Sequence, residues 1–408
     1  MYIKRHMEDT VKKIEKMFGA VIVTGPRQVG KTTLLKEIKP DIPYLTLDDP
    51  IMLRTAVEES GTFFKASPPP VFVDEIQYAP NLFPYIKMAL DQSHKKGQFY
   101  LSGSQQFKLM KNVSESLAGR IGIMNLLGLS LREISGISFS NPFIPTPEYF
   151  AERKQELVDT DYQNIWKTIH RGSMPEMYAG GEAMDWQLFY GAYTKAYIER
   201  DVRELTQVGD EVKFINFMTS IASCTGQLLN LASVARDVGI SQPTADRWLS
   251  VLRASNIVCL LQPYFNNVAK RAIKTPKLYF LDTGLAAYLT RWNTPEVLQN
   301  GAMAGAFFET FVISEIIKSY YNAGMLEPPL YYYRDKEQNE IDLMIYQDMT
   351  LYPIEIKKHA DPKRDDIAAF NMLDKLGNVK RGPGGVVCMY DKLLPFGGDD
   401  MVIPLKYL

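Results

Sequence analysis

The run Gly25-Pro26-Arg27-Gln28-Val29-Gly30-Lys31-Thr32 constrains this chain more than any other stretch. It satisfies G-x-x-x-x-G-K-[ST], the pattern of a loop whose backbone N–H groups wrap a phosphate. Its flanks agree. Ala20-Val21-Ile22-Val23 reads as a buried strand, and Thr33-Leu34-Leu35-Lys36-Glu37-Ile38 as a helix. Strand, glycine loop and helix in that order call for a parallel α/β sheet with the positive helix end facing an anion. The expected cradle is Gly25, Pro26, Arg27, Gln28, Val29, Gly30, Lys31, Thr32 and Thr33. Lys31 would reach the β- and γ-phosphates of a nucleotide, and the Thr32 hydroxyl would hold Mg²⁺.

A second apolar run, Val71-Phe72-Val73, ends in Asp74-Glu75. At the carboxyl end of a parallel strand, Asp74 can complete the metal shell and Glu75 can take a proton from attacking water. A third strand, Gln98-Phe99-Tyr100-Leu101, leads into Ser102-Gly103-Ser104-Gln105. Ser104, with Ser102 close behind it, is the candidate for sensing the terminal phosphate or positioning water. Arg120, in Ser116-Leu117-Ala118-Gly119-Arg120, is a candidate for stabilising transition-state charge, in its own subunit or a neighbour's.

These motifs resemble those of AAA-type ATPases of a widespread prokaryotic group, in which an AAA core is joined to a C-terminal domain of unknown function. The matching segments are the phosphate loop, Val73-Asp74-Glu75-Ile76-Gln77, Leu101-Ser102-Gly103-Ser104 and Ser116 to Arg120. The likeness continues through Tyr197-Ile198-Glu199-Arg200-Asp201-Val202 into the C-terminal region. It implies ATP binding with Mg²⁺, and hydrolysis; it supplies no cellular role.

At 408 residues the chain exceeds what one hydrophobic core usually serves. The expected fold class is α/β. Residues 1–135 form a P-loop ATPase domain, a parallel sheet with helices on both faces. Residues 136–225 form a linker and helical region, 226–295 a winged-helix region, and 296–408 an α/β nuclease-like domain. Pro142, Pro145 and Pro147 mark Ser138 to Asp161 as the linker. Trp186 through Leu205 patterns as an amphipathic helix. The net charge of −1 leaves no global attraction to nucleic acid, so DNA binding would need a local patch. Cys224, Cys259 and Cys388 are scattered singly and read as packed thiols. The start, Met1-Tyr2-Ile3-Lys4-Arg5-His6, leads into a charged stretch without a signal-peptide core, and no apolar run of about 18 residues occurs. The expectation is a cytoplasmic protein with no membrane partner.

Leu231 through Leu249 has helix–turn–helix form. Gly239 suits a left-handed cap, Ser241 can cap the second helix, and Pro243 is tolerated in its first turn. Ile257–Leu261 and Lys277–Leu281 read as the paired strands of a wing, with Lys270, Arg271, Lys274 and Lys277 as basic residues. Arg247 and Arg253 are the basic residues of the second helix. Such an element contacts DNA through its second helix, or serves as a rigid interaction module.

Glu309 sits in an apolar helical segment, Asp342 on a strand, and Glu355-Ile356-Lys357 on another a hairpin's length away. Alternation puts Glu355 and Lys357 on one face. This order resembles the PD-(D/E)xK nuclease fold, although Ile341 stands where a proline is expected. The resemblance implies a second Mg²⁺ or Mn²⁺ site formed by Glu309, Asp342 and Glu355 beside Lys357. Taken together, the expected function is a Mg²⁺-dependent ATPase whose nucleotide state controls the winged-helix and nuclease-like regions. The alternatives are an ATP-gated DNA nuclease and a non-enzymatic, nucleotide-dependent regulator that binds DNA or protein. A homo-oligomer or a protein partner stays open.

Overall fold

The computed structural model describes residues 2–104, 116–157, 164–181, 184–197, 211–264, 275–335, 337–375 and 379–408. Five short apolar runs form an all-parallel sheet: β1 (Ala20–Thr24), β2 (Tyr44–Thr46), β3 (Val71–Asp74), β4 (Phe99–Gly103) and β5 (Ile121–Asn125). Their order across the sheet is β2-β3-β4-β1-β5. Alternate residues face opposite sides. Val21, Val23, Phe72 and Tyr100 join one core, with Met7, Val11, Leu34 and Leu35. Ala20, Ile22, Val73 and Leu101 join the other, with Ala56, Phe83, Ile86 and Leu90. Helices therefore cover both faces, which is why these strands read as unbroken apolar runs.

The helices Ile165–Arg171, Trp186–Tyr197 and Glu211–Ser223 follow. Then Leu231–Val238 and Gln242–Ala254 meet at the expected turn: Gly239 is left-handed at φ 72°, and the Ser241 hydroxyl accepts from Thr244 N–H at 3.3 Å. The remaining strands are β6 (Gln227–Leu228), β7 (Val258–Pro263), β8 (Lys277–Phe280), β9 (Leu330–Arg334), β10 (Glu340–Gln347), β11 (Thr350–Lys357), β12 (Lys380–Arg381), β13 (Gly385–Cys388), β14 (Leu394–Gly397) and β15 (Asp400–Pro404). They form one ten-stranded mixed sheet in the order β14-β15-β13-β11-β10-β9-β7-β8-β6, with β12 beside β11. The antiparallel pair β7–β8 is thus continuous with the C-terminal strands, through parallel pairing of Gln262 with Tyr331. The chain is α/β overall: a parallel sheet, a helical region, then a mixed C-terminal sheet.

One expectation changes. Ser138 to Leu157 is not a free connector, because it carries apolar side chains that need burial. Phe139, Phe143, Tyr149 and Phe150 are buried, and Arg132, Tyr149 and Arg153 bond the carbonyls of Leu408, Tyr407 and Lys406. The prolines start and shape this packed segment rather than loosening it; Pro147 opens the helix Pro147–Arg153. The helix Ala304–Asn322 is buried nearly all round because it packs on β8 and β11 and also on the ATPase-side helix Met7–Met17. The three cysteines are free thiols. Among the described residues no helix is long and apolar enough to cross a membrane.

Candidate active site

The carboxyl ends of β1, β3 and β4 lie side by side, with Val23 opposite Ser102 and Val73 opposite Leu101. The loop after β1 approaches the chain after β5 so closely that only glycine fits. A Cβ on Gly25 would lie 2.0 Å from the Leu126 carbonyl oxygen, at φ +142°. Gly30, at φ +91°, turns the chain into the helix Lys31–Ile38. The Lys31 side chain is buried, and Nζ donates to the carbonyls of Gly25 at 3.0 Å and Pro26 at 2.7 Å. It is folded over the loop it would share with a phosphate.

Asp74 ends β3 and gathers three hydroxyl donors. Thr32 Oγ1 lies 2.9 Å from Oδ2, Tyr44 OH donates to the same oxygen at 2.9 Å, and Ser102 Oγ donates to Oδ1. Glu75 adopts a left-handed φ of 55°, a costly conformation for a non-glycine residue that is typical of functional sites. That turn aims its carboxylate into the phosphate-loop cavity, where Gln77 Nε2 donates to it. Ser104 is buried at the end of β4, and its hydroxyl has no partner among the described residues. Ser102, not Ser104, touches the Asp74 carboxylate. Thr32 and Asp74 together offer the hard oxygen donors that suit Mg²⁺.

Arg120 lies elsewhere. Its carbonyl accepts from Ala20 N–H, and Ile121 pairs with Ala20, so it sits at the amino end of the sheet. A five-residue strand separates it from the phosphate loop, roughly 16 Å at the usual rise. Its guanidinium pairs with Asp91. Parallel strands put their two ends on opposite sides of the domain, so Arg120 does not belong to its own subunit's site.

A cavity of about 670 Å³ opens on the loop, lined by Arg27, Gln28, Lys31, Thr32 and Glu75. Its far wall is Pro175, Glu176, Phe189 and Ala196, from outside the ATPase domain. A smaller cavity of about 280 Å³ adjoins it at Gly30 and Thr33, between Tyr2, Ile3, Leu129 and Ala179. Arg5 braces the loop from behind: Nη1 donates to Val29 O and Nη2 to Leu127 O, both at 2.8 Å, and Nε meets Glu133 at 3.1 Å. Burial pushes the Glu133 carboxyl up. Arg5, His6 and the N–H groups of Ser130 and His6 outweigh that and hold its pKa at about 2. Arg5, Tyr44 and the wall residues Pro175, Glu176, Phe189 and Ala196 had no motif to reveal them, and Gln77 lay inside the acidic-strand motif without a role assigned to it.

The C-terminal carboxylates do gather, but around an ammonium. Lys277 Nζ lies 2.5 Å from Glu340, 3.1 Å from Glu309 and 3.4 Å from Asp342. Tyr279 OH donates to Glu309 at 2.6 Å, and Asp342 Oδ2 accepts from Ile356 N–H at 3.0 Å. Lys357 pairs with Glu355 at 2.5 Å. Burial and the Asp342 charge push the Glu309 carboxyl up to about 7 and raise that of Glu355 as well. Burial favours a neutral Lys277, but Glu309, Asp342 and Glu340 outweigh it and raise its pKa. Among the described residues no group of three or more acidic, histidine or cysteine side chains forms a metal-binding cluster. Lys277 is therefore not an exposed phosphate contact; it is 3% exposed. Arg247 and Arg253 are exposed on their helix, whereas Lys270, Arg271, Lys274 and the segment Ile198–Val202 lie outside the described residues.

A glycine phosphate loop between parallel strand and helix, facing an acidic strand end, defines a P-loop domain of the AAA type. Residues 18–135 match the AAA domain family, 162–296 a domain of unknown function (DUF8612), and 304–408 a second one (DUF4143). The uncharacterized protein Rv2008c of Mycobacterium tuberculosis is 30% identical over 354 residues, covering 84% of this chain and 71% of its own length. Uncharacterized protein Mb2031c of Mycobacterium bovis matches with the same identity and coverage. The chain belongs to the family of these AAA-domain proteins. Among solved structures, the Walker-type ATPase PABY2304 of Pyrococcus abyssi aligns with a TM-score of 0.43 and 14% identity, over 71% of this chain and 96% of that one. The RuvB Holliday junction branch migration motor of Thermotoga maritima aligns at 0.30 and 13%, over 62% and 88%.

Proposed function

We propose that the chain is a Mg²⁺-dependent ATPase whose nucleotide state sets the arrangement of its C-terminal regions. One observation carries this reading: Lys31, Thr32 and Glu75 share a cavity with Pro175, Glu176, Phe189 and Ala196, so whatever fills the phosphate loop also touches the helical region. Bound Mg²⁺ would sit between Thr32 Oγ1 and Asp74 and neutralise charge on the phosphates. Lys31 would exchange the carbonyls of Gly25 and Pro26 for β- and γ-phosphate oxygens. Glu75 would accept the proton of the attacking water, with Gln77 orienting its carboxylate. The adjoining pocket offers Tyr2, Ile3 and Leu129 to the apolar faces of a flat base, and Arg5 and Glu176 to its polar edge. Arg120 would reach a phosphate only in a neighbouring copy.

The exposed Arg247 and Arg253 support DNA as a partner of the helix Gln242–Ala254, and the exposed Asp246 on the same helix offsets part of their charge. The carboxylate cluster, filled by Lys277, favours a structural ion-pair cluster over a second nuclease centre.

ATP hydrolysis and binding test the reading. Lys31→Ala is expected to lower turnover by about a hundredfold or more through lost charge stabilisation. Glu75→Gln should still bind ATP but hydrolyse it about 10²- to 10⁴-fold more slowly. Parental turnover in a folded Lys31→Ala protein would sink the ATPase reading.

A further inference from the structure

The two cavities at the phosphate loop share a border: Gly30, Thr33, Pro175 and Glu176 line both of them. Gly30 and Thr33 belong to the loop and its helix, whereas Pro175 and Glu176 face them from the helical region. Glu176 is the one ionisable residue of these four. It is exposed, and its carboxylate makes no hydrogen bond or ion pair among the described residues. The turn that carries it is nonetheless braced. Met177 is 1% exposed in the core, Tyr178 OH donates to Gly172 O at 2.7 Å, and Arg171 donates to the carbonyls of Met177 and Gly181. Gly180 N–H closes the turn on Glu176 O at 3.0 Å. A carboxylate without a partner is thus set on a firm support where the two cavities join.

We propose that Glu176 is a specificity-determining residue that accepts a hydrogen bond from the ribose 2′-hydroxyl of the bound nucleotide. The inference rests on the nucleotide reading above, with the phosphates in the larger cavity and the base in the smaller. The sugar connects the two, so it lies where the cavities join. Of the polar edges of the base, the one that Glu176 meets there is the edge that bears the sugar. Adenine itself offers only the N3 acceptor on that edge, which a carboxylate cannot bond. The phosphates are no better a partner, because like charges repel in a cavity that excludes part of the water. The ribose 2′-hydroxyl is the remaining donor, and an ionised carboxylate takes it in a charge-assisted bond. An acidic residue reads a ribose by the same chemistry in dinucleotide-binding folds. Because Glu176 lies outside residues 18–135, the sugar of a nucleotide held by the AAA domain is read by the helical region.

Calorimetric titration of the full chain, in the presence of Mg²⁺, with ADP and with 2′-deoxyADP tests this without consuming the nucleotide. The wild type should bind ADP about tenfold tighter than 2′-deoxyADP, the effect of one charge-assisted hydrogen bond at a partly exposed site. Glu176→Ala should bind both alike, at the wild type's affinity for 2′-deoxyADP. Glu176→Gln, whose amide oxygen still accepts, should keep a preference of about threefold. The side chain is exposed, so neither change threatens the fold. Equal binding of ADP and 2′-deoxyADP by the wild type would overturn the proposal and leave the ATPase reading intact. So would a preference for ADP that Glu176→Ala retains in full. A wild type that binds neither nucleotide would overturn the nucleotide reading, and this contact with it.

Discussion

Arg5 spends its guanidinium on three carbonyls and one carboxylate, and through Val29 O it fixes the back of the phosphate loop. Its partner Glu133 also closes a capping box with Ser130. The pair makes stability pH-dependent in a definite direction. The Glu133 carboxyl sits at about 2 in the folded chain, below its ordinary 4.5. A depressed folded pKa means that the stabilisation is complete above about pH 4.5 and is lost as the pH falls toward 2. It amounts to something on the order of 3 kcal/mol. Acid unfolding followed by near-ultraviolet circular dichroism should show a Glu133→Gln protein less stable at pH 7, with the gap to wild type closing below pH 4.5. A constant gap from pH 7 to pH 2 would show that the carboxylate's charge plays no part.

At the scale of elements, the turn between Leu231–Val238 and Gln242–Ala254 is locally encoded. Gly239 takes the left-handed position without Cβ strain, and Ser241 satisfies an orphan N–H of the next helix. Ser241→Ala should cost about 1 kcal/mol of local helix stability. Hydrogen exchange at the first-turn amides around Thr244 and Ala245 should then speed up about fivefold, with β1 and β4 amides unchanged. Unchanged exchange at Thr244 would mean that the hydroxyl does not cap in solution. The same helix shows how far an element speaks for itself. Its buried face, Ala245, Trp248, Leu249 and Leu252, is set by period, yet its neighbours Phe214 and Phe217 come from Glu211–Ser223.

Across the whole molecule, the nucleotide cavity and the C-terminal unit are joined by more than one route. Pro175 and Phe189 wall the cavity, and the segment after β5 is tied to the helix Ala304–Asn322. In that tie Leu131 N–H donates to Glu315 at 2.7 Å and Lys318 donates to Leu129 O at 3.0 Å. That same helix carries Glu309 to Lys277. A non-hydrolysable ATP analogue with Mg²⁺ should therefore slow amide exchange severalfold in Pro175–Ala179 and Trp186–Tyr197. The helix Pro50–Glu58, on the other face of the sheet, serves as the internal control. No protection of Trp186–Tyr197, with the phosphate loop itself protected, would separate nucleotide binding from any effect on the helical region.

What could be read from the residues alone was local in the chain. The phosphate loop, the acid pair at the end of β3 and the Gly239–Ser241 turn each depend on neighbours a few positions away, because backbone conformation and capping are short-range. The parallel sheet followed as well, since runs such as Val21 to Val23 are apolar on both faces and must be covered on both. What needed the tertiary structure was the choice of partner for each charge. Arg120 has the residue type for catalysis but hangs from the wrong end of β5, and strand polarity decides that. Lys277 read as a surface cation, and became the centre of a buried cluster because folding brought the helix Ala304–Asn322 onto β8 and the Lys277 side chain to Glu340 and Asp342 of β10. A charged side chain carries no mark of its partner in its own sequence neighbourhood; burial selects that partner by removing water, and burial is decided only when distant segments close on one another.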